Sequence, residues 1–73
     1  MNQYELEDLW VKGSLPDVDY PFGDTILIMR GEHANKVARI VALISIDPTP
    51  VYVVEFQAGD SAVLEQGDLE RAV

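Results

Sequence analysis

His33 is the only imidazole in the chain and there is no cysteine, so a nucleophilic or metal-assisted site would have to be assembled around that one ring. The sequence groups no partners for it, whereas hydrolysis or metal binding needs a base, a carboxylate or further ligands converging on one point. Asp17 and Asp19 lie two apart in a proline-containing stretch and point the same way if the chain is extended there, the arrangement of a weak divalent-cation contact. Acidic doublets of this kind are ordinarily solvated. "GDSAVLE" and "GDLE" lack the alternating oxygen ligands of a calcium loop, and "GEHANK" lacks the glycine pattern and Lys-Ser/Thr ending of a phosphate loop. The expectation is a protein that is not an enzyme and that uses no cofactor and no metal.

A second chemistry lies in Arg30, His33, Lys36 and Arg39, four basic groups around one stretch that could contact a few phosphates. Against it stand thirteen acids to five bases, a formal charge of −8, which repels a nucleic-acid backbone and attracts basic surfaces. The balance is uneven: residues 1–24 carry net −5, residues 30–39 net +2, and the remainder net −5. No run of exposed aromatics interleaves the basic residues for base stacking. Arg39 and Lys36 have local carboxylates to pair with, each surface pair contributing roughly 0–1 kcal/mol.

These residues must be positioned by a small scaffold. With 73 residues the chain is one domain, burying roughly 60% of its unfolded surface, and without disulfides its core holds unaided or is shared with a partner. No apolar run approaches the roughly 20 residues of a membrane span, and "MNQYELEDLW" lacks the flanks of a signal peptide. The composition fits a soluble domain of a bacterial-type reducing cytoplasm, with no membrane partner.

Apolar periodicity changes near Gly23. Before it, Leu6, Leu9 and Trp10 have the i, i+3, i+4 spacing of a short amphipathic helix ended by Gly13, although the run is short enough that an extended form is also open. "SLPDVDYPFGD" reads as an irregular connector whose Tyr20 and Phe22 lie against the core. From Asp24 the period is two: "TILIMR", "KVARIVALISI", "VYVVEF" and "AVLE" are strands, Pro48 and Pro50 force a turn, and Leu69 and Val73 belong to a fifth strand. The expectation is an all-β fold, a small, strongly bent antiparallel barrel of about five strands. Residues 1–22 form an N-terminal extension with a short helical turn packing on the barrel, and residues 23–73 form the barrel itself.

"GDTILIMRGEHANKVARI" resembles the KOW-type unit of SH3-like small barrels, with Gly23-Asp24, alternating Ile26 and Ile28, Gly31 in the loop, and then Asn35, Val37, Ala38 and Ile40. "YVVEFQAGDSAVLEQGDLE" is similar to the back half of such barrels, where a Tyr-x-Val-x-Phe strand turns at Gly-Asp and a Leu-containing turn follows. The resemblance covers residues 22–71 and implies an SH3-like barrel. Asn35 stands where the unit usually has glycine and tolerates the left-handed conformation; Ala38 does not, so the bend there is milder. Units of this kind serve in ribosomal proteins, transcription elongation factors, a photosystem subunit and enzyme accessory subunits, so the fold does not fix the task.

Strict alternation puts Ile26, Ile28, Ile40, Ala42, Tyr52, Val54 and Phe56 inside, and Leu27, Met29, Val41, Leu43, Val51 and Val53 outside. Such an outer patch exceeds what a soluble monomer exposes. Either the N-terminal segment covers it with Leu6, Leu9 and Trp10, or it docks a second copy through strand-edge pairing or another protein. The expected function is therefore a non-catalytic interaction module or accessory protein, with Leu27, Met29, Val41, Leu43, Val53, Arg30, His33, Lys36, Arg39 and Trp10 as partner-binding candidates. The alternatives are an acidic immunity-type inhibitor of a basic, nuclease-like toxin and a KOW-type RNA- or ribosome-associated factor, the last disfavoured by charge.

Overall fold

A computed structural model describes residues 2–72. One helix, α1 (Gln3–Val11), precedes five strands: β1 (Thr25–Ile28), β2 (Val37–Ser45), β3 (Val51–Glu55), β4 (Ser61–Glu65) and β5 (Leu69–Arg71), with a single 3₁₀ turn at Gln66–Asp68. The strands form one antiparallel sheet in the order β4-β3-β2-β1-β5, so the fold is the predominantly β architecture that the period-two pattern predicts. Val73, expected in the fifth strand, lies outside the described residues.

The helix forms despite its length because both ends are satisfied. Asn2 accepts the Glu5 amide on its side-chain oxygen at 2.9 Å, and Gly13, at φ +71°, turns the chain so that the Ser14 amide donates to the Leu9 carbonyl at 2.9 Å. Leu6 and Trp10, one turn apart, are the residues it buries.

The core gathers Leu6, Trp10, Tyr20, Ile26, Ile28, Ala38, Ile40, Leu43, Tyr52, Val54 and Leu69 into one cluster. Leu43 corrects the expectation of an outward side chain, since it is 0% exposed. The ladder between β2 and β3 is irregular between Ile40 and Ala42 and again between Leu43 and Ser45. The first irregularity inserts one extra residue and reverses the facing of Ala42 and Leu43, and the second shifts the phase again before Ser45. Ala42, expected inside, is half-buried on the opposite side from Leu43, and Phe56, also expected inside, is half-buried at the end of β3.

The same irregularity decides where α1 sits. Once Leu43 faces inward, Leu6 and Trp10 extend its core, and the Gln3 side-chain Nε2 donates to the Leu43 carbonyl at 2.9 Å. The helix thus enlarges the inner core and packs on β2, while Met29 and Val63 stay exposed. No helix among the described residues is long and apolar enough to cross a membrane.

Candidate functional site

Among the clefts along β2, two gather sequence-predicted candidates. The first lies beside α1, about 300 Å³ in volume and lined by Glu7, Trp10, Val11, Phe22 and Val41. Its wall is fixed: the Trp10 indole N–H donates to the Tyr20 carbonyl at 2.8 Å, and the Phe22 ring meets the indole edge-on at 6.1 Å between centroids. Val11 and Phe22 themselves are 75% and 58% exposed. Val11 falls off the buried face of α1, and Phe22 projects from the end of the connector.

The connector is held by an arrangement the sequence does not announce. The Gln66 side chain accepts the Asp19 amide on its oxygen at 2.9 Å and donates its N–H to the Asp17 carbonyl at 3.0 Å. The same oxygen accepts the Tyr52 hydroxyl proton. Tyr20 packs edge-on against Tyr52 at 5.7 Å, and its hydroxyl donates to the Leu69 carbonyl at 3.0 Å. Burial pushes the Tyr52 phenol up to about 12 and also raises that of Tyr20, so both remain hydrogen-bond donors at neutral pH. Asp17 and Asp19 are therefore engaged through their backbones, with exposed side chains. Arg71 completes the strap: it donates to the Asp19 carbonyl at 3.1 Å, lies 3.3 Å from Asp24 and sits over the Tyr20 ring.

The second cleft, about 400 Å³, lies at the other end of the sheet between the loop joining β1 to β2 and the turn after β3, lined by His33, Lys36, Val37, Phe56, Gln57, Ala58 and Asp60. The loop is closed by backbone bonds: Ile28 N–H donates to the Lys36 carbonyl at 2.9 Å and Asn35 N–H to the Ile28 carbonyl at 2.7 Å. Asn35 takes φ +70°, the left-handed conformation expected of it. His33 lies against Phe56 with ring centroids 4.9 Å apart, and Lys36 Nζ sits 5.7 Å from the same ring.

The four basic candidates do not form one patch. His33 and Lys36 share Phe56, Arg30 reaches Asp68 at 3.7 Å, and Arg39, cross-strand from Thr25 and Glu55, turns its guanidinium over the Phe22 ring. Of the apolar candidates, Val41 and the buried Trp10 meet at the first cleft; Leu27 and Val53 are half-buried, and Met29 is exposed apart from them. Among the described residues no three His, Cys, Asp or Glu side chains gather as metal ligands would.

Val11, Phe22 and Glu7 were absent from the candidates. Phe22, expected against the core together with Tyr20, is instead 58% exposed while Tyr20 on the other side of Pro21 is buried; for Val11 the signal is in the sequence, since it lies off the buried face of the helix. Compared with known proteins, the chain matches no family model, no curated protein and no solved structure.

Proposed function

We propose that this chain is a non-catalytic protein-interaction module on an SH3-like barrel with a KOW-type hairpin, and that it takes a protein segment presenting a bulky apolar side chain beside basic residues. The observation that carries this reading is the pair Val11 and Phe22, exposed around a cleft whose wall is a hydrogen-bonded, buried indole. An apolar recess with a rigid aromatic wall and a single carboxylate at its rim has the form of an interface anchor site. Glu7 at the rim, with Glu5 and Asp8 on the same helix, favours a cationic flank on the occupant. The strand order, the bulged β2 and the 3₁₀ turn between the last two strands support the SH3-like assignment.

An acidic immunity-type inhibitor is the narrower form of the same proposal, with a basic toxin as occupant. The dispersal of Arg30, His33, Lys36 and Arg39 over three sites weighs against the RNA-binding reading.

The test is selection of a displayed library of random peptides on the full chain. The expected consensus is one bulky apolar residue flanked by Lys or Arg, with binding that weakens as salt rises. Val11→Asp and Phe22→Asp, both at exposed positions, lower affinity about tenfold or more. Failure to enrich a consensus, or binding indifferent to both changes, overturns the proposal.

A further inference from the structure

The sheet has two outer strands, and only one of them is defended. Exposed edges invite pairing with another chain, and proteins blunt them with charge, proline, bulges or shortness. Strand β5 has three residues, two of them the exposed charges Glu70 and Arg71. Strand β4 has five, pairs with β3 in unbroken register, and carries neither proline nor any charge before Glu65.

The direction of the unused backbone groups on β4 follows from the bonds that flank its ladder. Phe56 N–H donates to the Asp60 carbonyl at 2.8 Å and Gln66 N–H to the Pro50 carbonyl at 2.9 Å, both in register with the β3–β4 pairs. Antiparallel ladders alternate bonded and non-bonded pairs, so Ala62 and Leu64 spend their backbone groups on β3. Those of Ser61, Val63 and Glu65 point away from it. These three residues are exposed, and among the described residues no other strand pairs with this side.

We infer that this edge pairs two copies of the chain, antiparallel and centred on Val63. That register is the one the edge itself prescribes. Val63 meets its counterpart, and Ser61 meets Glu65 of the second copy, so every outward N–H and C=O faces a partner of the correct kind. Each carboxylate lies opposite a hydroxyl and away from the other copy's carboxylate, which is the charge arrangement that a strand with one terminal acid requires. On the outer face, Val63 is 60% exposed and Val53 lies directly across from it, with Ala42 beyond. Pairing joins the two rows into one apolar band across both sheets. The contact is small, so association belongs to the micromolar-to-millimolar range. The charge of −8 on each copy opposes it, so added salt strengthens it, opposite to the behaviour of a basic occupant in the α1 cleft. The inference is independent of that cleft.

The experiment is sedimentation of the full chain over a concentration series, with amide hydrogen exchange on the same samples. The expected mass rises from 8.1 kDa toward twice that value. With it, exchange at Val63 and Glu65 slows while Ala62 and Leu64, already bonded to β3, change little. Val63→Lys, which sets two ammonium groups against each other, and Val63→Pro, which removes the outward N–H without deleting a bond of the β3 ladder, each keep the chain monomeric; Val11→Ser leaves association intact. A chain that stays monomeric to millimolar concentration overturns the inference. So does a dimer in which exchange at Val63 does not respond to concentration, a readout on the unaltered chain that does not depend on either variant folding.

Discussion

The cleft beside α1 and the cleft beside the β1–β2 loop are similar in size and opposite in construction. The first is walled by a buried indole whose only polar atom is bonded to the backbone, and its rim is apolar with one carboxylate. The second rests on a half-buried phenylalanine under an imidazole and an ammonium, and its shape is kept by backbone bonds within the loop. A small core has few large side chains to distribute, and here they go to the helix side. Tertiary packing maintains one cleft and local chain geometry the other, so the two fail under different perturbations.

The largest expected difference comes from truncating each aromatic. Trp10→Ala costs about 3–5 kcal/mol in chemical denaturation, because it empties a buried site and leaves the Tyr20 carbonyl without its donor. Phe56→Ala, at a half-buried position, costs about 1–2 kcal/mol. Equal losses would break the comparison.

Alkali sharpens it next. The Tyr52 phenol, pushed up to about 12 from the usual 10 by burial, keeps its proton longer in the folded chain than in the unfolded one. The stability this represents is fully present below about pH 10 and is lost as pH rises toward 12. Ionisation removes the proton that Tyr52 donates to Gln66, one of the three hydrogen bonds of the side chain that clasps Asp17 and Asp19. Tyrosinate absorbance followed with far-ultraviolet circular dichroism is expected to show one coupled alkaline transition, which Tyr52→Phe shifts or removes. Loss of structure well before any phenol ionises would assign the transition to another cause.

The smallest effect concerns the loop. Asn35→Ala forces a β-carbon residue without a compensating side-chain amide into φ +70° and costs about 1 kcal/mol in thermal melting, whereas Asn35→Gly is close to neutral. A larger loss at Asn35 than at Phe56 would mean that the loop, and not the ring beneath it, sets the shape of that cleft.

Much of the fold was legible because its strands obey alternation where alternation is unambiguous. Ile26 and Ile28 in β1 and Tyr52 and Val54 in β3 are buried as their phase predicts, and Gly13 and Asn35 turn the chain where their backbone tolerance places them. From Ile40 to Ile44 every residue is apolar, so no phase can be read there, and a bulge leaves no mark in such a run. The inward turn of Leu43, the seat of α1 and the first cleft all follow from that one unreadable step. The Gln66 clasp was hidden for another reason: its partners are backbone groups 47 and 49 residues away, and backbone groups are the same whatever the sequence. Of the outward-phased pair in β1, Met29 is exposed and Leu27 half-buried, and Val11 and Phe22, which alternation does not reach, are exposed as well.

Trp10 has one further consequence. It is the chain's only indole, and it forms a wall of the first cleft while the second cleft contains no indole or phenol at all. Light absorbed at the red edge of the protein's spectrum is therefore emitted from a single address, beside Val11 and Phe22. An occupant of that cleft shifts the colour of emission without any label, whereas one bound against His33 and Phe56 leaves it unchanged. The molecule carries its own optical means of telling which side has been engaged.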